Sequence, residues 1–148
     1  MALREVRLED LPIFYEHQRD AEANRMAAFP PRDWQAFVEH WRDKVLGDTS
    51  ARKRTIVFGD HVAGNILSWQ HEGRRLIGYW LGREYWNRGL ATAALAEFLT
   101  EEKTRPLFAY VAVGNFASIR VLEKCGFCKV HAATAADGVE EYLFRLDG

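Results

Sequence analysis

Cysteine is scarce in this chain, and its arrangement argues against the chemistry that cysteine usually signals. The 148 residues include two cysteines, Cys125 and Cys128, and His131 follows them. A thioredoxin-like motif lies where a strand ends and a helix begins, but here a helical pattern ends at Cys125 and a strand is expected from Phe127. A structural zinc site needs four ligands, and the sequence has no second cysteine pair. We therefore predict unpaired thiols and no bound metal.

Strong net charge and long apolar runs are missing as well. The formal net charge is −1 at pH 7, which gives no general attraction to nucleic acid or to an anionic membrane. No apolar run reaches the roughly 20 residues that a membrane helix needs. The first ten residues alternate charged and apolar side chains, without the apolar core of a signal peptide. We expect a soluble, cytoplasmic protein with neither nucleic acid nor a membrane as partner.

The chain does have enough apolar residues to build a core. Its composition is 48% hydrophobic, its length suits one domain over residues 1–148, and it shows no repeats. Hydrophobic periodicity predicts the element order β α α β β β α β α β β. This order predicts an α/β fold with a mixed, mostly antiparallel central sheet and helices on both faces. The predicted strands are 3–7, 54–58, 62–70, 76–81, 107–113 (fully buried), 127–131 and 139–146; the predicted helices are 9–15, 34–45, 90–103 and 115–124, with 20–31 irregular.

Residues 81–92 carry a candidate binding site between a strand and a helix. A helix that begins with Gly89 and the small residues Ala91 and Thr92 leaves approachable backbone N–H groups at its positive end, which suits an anion such as phosphate. Gly89 allows close approach of the backbone, and Arg88 adds positive charge. The alternative is that Gly89 is only a turn residue. The competing phosphate motifs, Gly-x-Gly-x-x-Gly and the P-loop, are absent from the sequence.

The same segment resembles the pyrophosphate loop of the GCN5-related N-acetyltransferase (GNAT) family. Gly89 and Ala91 match the pattern Gln/Arg-x-x-Gly-x-Gly/Ala, whereas Trp86 stands where Gln or Arg is commonest. Tryptophan there is similar to one branch, the ribosomal-protein N-terminal acetyltransferase-like group. That branch typically reads Gly-Tyr-Trp-Leu, a short loop, then Tyr-Trp-Gly-x-Gly-x-Ala-Thr. This chain has Gly-Tyr-Trp-Leu at 78–81 and Tyr-Trp-Asn-Arg-Gly-Leu-Ala-Thr at 85–92.

A second block, residues 115–127, resembles the same branch independently. Its sequence Asn-Phe-Ala-Ser-Ile-Arg-Val-Leu-Glu-Lys-Cys-Gly-Phe is similar to the branch pattern Asn-x-x-Ser-x-x-Val-Leu-Glu-Lys-x-Gly-Phe. One difference lies in the first block, residues 85–92, where Asn87 replaces a usual glycine. The change is tolerable because asparagine accepts left-handed backbone angles. The element order matches too, so the resemblance covers nearly the whole chain.

The resemblance implies that the chain binds acetyl-CoA and passes the acetyl group directly to a primary amine, with no acyl-enzyme. In the family two central strands splay apart, and the pantetheine arm lies in the gap. Neither cysteine has a visible triad partner, which agrees with direct transfer. The residues implied to bind the cofactor are Leu81, Gly82 and Arg83 along the arm, Asn87, Arg88, Gly89, Leu90, Ala91 and Thr92 at the pyrophosphate, and Asn115.

The resemblance also implies two catalytic residues, Ser118 and Asn115. Many family members place a tyrosine acid seven residues after the motif asparagine, but Leu122 stands there. The branch has a serine three residues after the asparagine, here Ser118, which would protonate the departing thiolate or pass it a proton through water. The alternatives are that Ser118 only satisfies backbone donors at a helix N-terminus and that Asn115 is only a helix cap.

The acceptor is harder to predict than the cofactor. Acidic residues near the first two helices either attract a cationic amine or form a solvated helix end; these are Glu16, Asp20 and Glu22. Aromatic residues of the second predicted helix are expected in the core; these are Trp34, Phe37 and Trp41. The alternative at the level of function is a non-catalytic acyl-CoA-binding or regulatory domain with the same fold, and homodimer formation is left open.

A general base is missing where the branch often carries a glutamate, because Leu76 stands there. An α-amine with a pKa of about 8 is neutral for roughly a tenth of the time at pH 7, whereas a lysine-like amine at about 10.4 is neutral for only a few parts in ten thousand. We therefore predict an acceptor of low pKa, either a protein or peptide N-terminus or a small-molecule amine. A base within 20–34 and a water relay are the other options.

Overall fold

Seven strands and five α-helices make up the computed structural model, which describes residues 1–28, 30–135 and 137–148. A short 3₁₀ turn precedes the first helix, and another, Arg83–Tyr85, follows the fourth strand. The strands are β1 (Ala2–Arg4), β2 (Arg52–Phe58), β3 (His61–His71), β4 (Arg74–Leu81), β5 (Leu107–Ala112), β6 (Cys128–Thr134) and β7 (Glu140–Leu146). The helices are α1 (Leu11–Gln18), α2 (Ala21–Ala27), α3 (Trp34–Glu39), α4 (Leu90–Glu101) and α5 (Phe116–Lys124).

The strands form one sheet in the order β1-β2-β3-β4-β5-β7-β6. All neighbouring strands are antiparallel except β4 and β5, which run parallel. Among the described residues of β4 and β5, the ladder pairs Leu76 with Phe108 near the start of each strand. Beyond that pair the two strands diverge. The predicted mixed, mostly antiparallel sheet with splayed central strands is confirmed.

Helices cover both faces of this sheet, as predicted. On one face Phe98 of α4 and Leu122 of α5 are buried in a core that includes Ile66 of β3. On the other face α1 and α3 supply a second core around Phe14 and Phe37. The gap between β4 and β5 therefore lies between two helical layers.

Helix α2 lies within residues 20–31, which were predicted to be irregular, so that prediction is wrong. Asp20 caps the helix, because its carboxylate accepts the Ala23 N–H at 3.0 Å. The helix ends at Ala27, and Ala28 after it has a left-handed backbone with φ 52°. The capping aspartate was a helix signal, and the two prolines that follow restrict only the chain beyond the helix.

Strand β5 is half-buried rather than fully buried. Leu107, Ala109 and Val111 are buried in the α4/α5 core, whereas Tyr110 between them is 40% exposed. Because all six residues of the strand are apolar or aromatic, the sequence did not reveal this alternation. The exposed face of β5 borders α2.

The second predicted helix begins as expected, with Asp33 accepting the Ala36 N–H at 2.8 Å. It is a regular α-helix to Glu39 and continues as a wider π-helical segment over 40–46. Phe37 is buried as predicted. Trp34 is 45% exposed, so its placement in the core was wrong. It lies in the first turn of α3 and makes an edge contact with the Tyr15 ring of α1.

Candidate active site

A groove of about 600 Å³ opens where β4 and β5 diverge. Four parts of the chain line it: α2, the end of β4, the loop and first turn of α4, and α5 with the loop before it. It brings together both sequence blocks that resembled the GNAT family. The predicted site residues in its lining are Leu81, Asn87, Gly89, Leu90, Ala91, Thr92, Asn115 and Ser118.

The N-terminus of α4 forms one end of the groove. Gly89 is the residue that caps the helix, with φ 73°, and a Cβ built on it would have no heavy atom within 4 Å. The first N–H groups of a helix have no acceptor within the helix, so those after Gly89 face the groove together with the positive end of the helix dipole. Asn87 also has a left-handed backbone, with φ 60°. This end of the groove suits a pyrophosphate.

Trp86 ties the loop back to the strand that precedes it. Its indole N–H donates to the Leu81 carbonyl at 3.1 Å, and the Arg83 guanidinium lies 5.7 Å from its ring centre. Tryptophan therefore has a structural role in this loop, where most family members carry Gln or Arg.

Three predicted cofactor residues lie outside the described lining of the groove. The Gly82 N–H donates to the Ala63 carbonyl at 2.9 Å, which extends the β3–β4 ladder. Arg83 pairs with Asp20 at 3.5 Å. Arg88 is exposed, with its guanidinium 6.0 Å from the Phe58 ring centre. Their contacts with a cofactor stay predictions.

The start of α5 forms the opposite wall. Asn115 caps this helix, because its side-chain oxygen accepts the Ser118 N–H at 3.4 Å. The alternative role of Asn115 as a cap is therefore present in the structure, and Asn115 also lines the groove. The Ser118 hydroxyl does not cap the helix; it lies 2.8 Å from the Tyr79 hydroxyl.

Sequence reasoning missed three residues of this groove. Tyr79 was treated only as part of a motif, yet its hydroxyl meets Ser118, and burial raises its pKa to about 12. Arg120 and Lys124 lie one turn apart on α5 and line the groove. Their spacing of four residues was a signal for one positively charged helix face, but only the fold shows that this face lines the groove.

The end of the groove that α2 lines is apolar. Ala23, Met26 and Ala27 of α2 line it together with Trp80 of β4. The acidic residues that were candidates for attracting a cation are each paired with an arginine: Glu16 with Arg19, Asp20 with Arg83, and Glu22 with Arg25.

Glu141 is a half-buried carboxylate that sequence reasoning did not consider. It lies opposite Ala112 in the β5–β7 ladder, at the end of β5 beside the gap. Its neighbour Tyr142 packs against the α4/α5 core, and side chains alternate along a strand, so Glu141 faces the α1–α3 side. Burial, together with the nearby Asp137, raises its pKa.

The cysteines lie on different surfaces of the α5–β6 connection. The Cys125 sulfur is half-buried, 3.7 Å from the Thr92 carbonyl, and Cys128 is exposed. Burial raises the pKa of the Cys125 thiol. The expectation that both are reduced and metal-free stays a prediction. Within the described ranges no helix combines the length and the apolar composition needed to cross a membrane.

Comparison with known proteins places this fold and groove in a family. The family model for the "Acetyltransferase (GNAT) domain" matches residues 1–128, so the chain belongs to the GNAT acetyltransferase family. It is an acetyl-CoA-dependent N-acetyltransferase that moves an acetyl group onto a primary amine. The family match favours this function over the non-catalytic alternative; the finer placement in the ribosomal-protein branch stays a prediction.

The relatives are distant but cover nearly the whole chain. An uncharacterized N-acetyltransferase p20 from Bacillus licheniformis is 27% identical over 167 residues, covering 99% of this chain and 92% of the relative. A spermidine N-acetyltransferase from Vibrio cholerae, solved with CoA and spermine, has a TM-score of 0.82 at 15% identity over 99% of this chain and 94% of its own. The aminoglycoside acetyltransferase AAC(6')-Ib, solved with coenzyme A, has a TM-score of 0.80 at 20% identity, over 97% and 93%. At such identities the two structures establish the common fold.

Proposed function

We propose that the enzyme acetylates a small primary amine of low pKa, such as a free α-amine, that has an apolar group beside it. The observation that carries this proposal is the apolar lining at the α2 end of the groove, where we place the acceptor. This end is lined by Ala23, Met26, Ala27 and Trp80, and none of the described lining residues of the whole groove is acidic. The acceptor enters from the α2 side, and acetyl-CoA occupies the α4–α5 side.

The amine acceptors of the similar structures support a small acceptor in general. Those structures include complexes with spermine and with kanamycin, both of which carry several amines. A polycation needs carboxylates at its binding site, because an uncompensated charge is costly to desolvate. In this chain Glu16, Asp20 and Glu22 are already paired with arginines. We infer that the acceptor carries fewer charges than spermine.

The remaining cofactor assignments follow from the family resemblance; Gly82, Arg83 and Arg88 lie outside the described lining of the groove. The pyrophosphate binds at Gly89 and the N–H groups that follow it, near Arg88 and Arg120, and the pantetheine arm lies along Leu81 to Arg83. Asn115 contacts the arm from the α5 side. Backbone donors and positive charge at a helix N-terminus are favourable for a bound phosphate.

Ser118 is the proposed acid. The amine nitrogen bonds to the acetyl carbon, and the carbon–sulfur bond breaks. The sulfur takes a proton from the Ser118 hydroxyl, and the proton lost by the amine restores that hydroxyl through water. Proximity of the two substrates supplies much of the rate, because it converts a bimolecular encounter into a reaction within one complex.

The acceptor proposal is tested with a pair of peptides that differ only in which amine they offer, assayed by release of free CoA thiol at about pH 7. One peptide has a free α-amine and no lysine, and the other is blocked at the N-terminus and carries one lysine. We expect kcat/KM to be about a hundredfold higher for the free α-amine, because the two pKa values differ by more than two units. Spermidine serves as the polycationic comparison and should be acetylated more slowly than the α-amine peptide. Release of CoA thiol in the absence of any amine measures the background hydrolysis of acetyl-CoA.

Faster acetylation of the lysine peptide or of spermidine would contradict the proposal. It would require a general base within reach of the acceptor. Glu141 would then be the carboxylate to test, by comparing Glu141→Gln with the wild-type enzyme on the lysine peptide.

A further inference from the structure

A pair of hydroxyl groups joins β4 to α5 across the wall of the groove. The oxygen atoms of Tyr79 and Ser118 are 2.8 Å apart, a normal distance for an O–H···O hydrogen bond. Both residues line the groove. One side chain belongs to a strand and the other to a helix. The two residues are 39 positions apart in the sequence, so the contact depends on the fold.

The direction of this hydrogen bond follows from burial. The Tyr79 ring packs against the α4/α5 core, and burial raises the pKa of the phenol to about 12, so the phenol keeps its proton. Within the described residues the hydrogen-bond partner of the Tyr79 hydroxyl is Ser118. A buried O–H without an acceptor is unfavourable. The favourable arrangement is therefore the one in which Tyr79 donates and the Ser118 oxygen accepts.

This arrangement leaves the proton of Ser118 free. The Ser118 backbone N–H is used by Asn115, and its hydroxyl oxygen accepts from Tyr79. With its oxygen accepting from Tyr79, the Ser118 hydroxyl has its own proton available to another acceptor, and Ser118 lines the groove in which we place the thioester.

We propose that Tyr79 is a positioning residue, whose hydroxyl donates to the Ser118 oxygen and thereby directs the Ser118 proton at the departing sulfur. The proposal rests on the role of Ser118 proposed above. Tyr79 itself exchanges no proton with a substrate. Its hydrogen bond also lowers the activation free energy, because it stabilises the negative charge that develops on the Ser118 oxygen as the proton leaves.

The test is a double-mutant cycle of Tyr79→Phe and Ser118→Ala, measured by single-turnover acetyl transfer with saturating amine. We expect Ser118→Ala to lower the rate about a hundredfold or more, and Tyr79→Phe to lower it about tenfold, with little change in acetyl-CoA affinity. In the Ser118→Ala background Tyr79→Phe should have almost no further effect, because the group it positions is gone. Tyr142→Phe is the matched control: it removes a hydroxyl from a half-buried tyrosine of the same core, outside the groove.

The outcomes separate the two ideas. A wild-type rate for Ser118→Ala would overturn the role of Ser118 and the inference about Tyr79 together. A slow Ser118→Ala enzyme combined with a wild-type rate for Tyr79→Phe, or with independent, additive losses in the double variant, would overturn the inference about Tyr79 alone. A loss for Tyr79→Phe that appears only as weaker acetyl-CoA binding would also overturn it, because that is the effect of a disturbed groove.

Discussion

At the scale of single residues, the glycines on either side of the loop are required for different reasons. Gly89 is needed for its left-handed backbone and for the open space around its Cα. Gly82 has an ordinary extended backbone. A Cβ on Gly82 would lie 2.6 Å from two ring atoms of His17. His17 is buried against Tyr85, and burial lowers its pKa.

Gly82→Ala should therefore destabilise the protein by about 1–3 kcal/mol, the typical cost of forcing an extra methyl group into a packed core. The measurement is the free energy of unfolding from urea denaturation. Gly114→Ala is the control, because a Cβ there meets no heavy atom within 4 Å. Equal stabilities for the two variants would show that His17 moves aside at no cost.

The sequence predicted one of these glycines and missed the reason for the other. Gly89 stands before a helix in a recognisable pattern, so local rules and the family resemblance were sufficient. The contact between Gly82 and His17 joins positions 65 residues apart, and nothing local to either residue signals it. The same holds for Tyr79 and Ser118, whose partnership exists only because β4 and α5 meet at the groove.

At the scale of secondary-structure elements, α4 is fixed to the sheet at its C-terminal end. Glu102, directly after the helix, is buried and accepts hydrogen bonds from Ser68 of β3 and from Arg75 of β4, the latter at 2.9 Å. Burial alone would raise the pKa of Glu102, but the hydrogen bonds from Ser68, Arg75 and Thr104 outweigh it and lower the pKa to about 2. This network fixes the helix whose other end faces the groove.

Glu102→Gln should destabilise the protein by about 3–5 kcal/mol near neutral pH, because it leaves the mostly buried Arg75 without a counter-charge. A carboxyl group with a lowered pKa contributes stability above its unfolded pKa and loses it as the pH falls toward the folded value. The difference between wild type and variant should therefore shrink as the pH falls from about 4.5 to about 2. Urea denaturation across that range measures it.

The neighbouring Glu101 provides the control for this experiment. It pairs with Arg54 at 2.8 Å but is about one-third exposed. Glu101→Gln should therefore cost about 1 kcal/mol or less. A similar, pH-independent loss in both variants would contradict the account of Glu102.

Element prediction succeeded where periodicity was clear and failed where composition concealed it. The β2–β3–β4 meander and the helices α4 and α5 were predicted within a few residues. Helix α2 was missed because seven residues before two prolines give little periodic signal, although Asp20 marked its start. The uniformly apolar β5 gave no sign of which face would be exposed.

At the scale of the whole molecule, the groove exists because β4 and β5 run parallel and separate after one ladder pair. All the other strand pairs are antiparallel and continue along their lengths. Strand order predicted a mixed sheet, but only the family resemblance implied the separation. One end of the groove is lined by α2, and because that helix was missed, its apolar lining was not predicted.

The central claim is that acetyl-CoA binds in this groove with its pyrophosphate at the start of α4, and calorimetric titration of acetyl-CoA into a matched pair of variants tests it most directly. Gly89→Gln and Gly89→Glu add side chains of the same size at the same left-handed position, so their backbone strain is equal and they differ by one negative charge. We expect the Gln variant to bind more weakly than wild type. The Glu variant should bind about ten- to a thousandfold more weakly still, because like charges about 4 Å apart repel by roughly 1–4 kcal/mol, and added salt should narrow that gap. Equal affinities for two folded variants would show that the pyrophosphate lies elsewhere and would contradict the account.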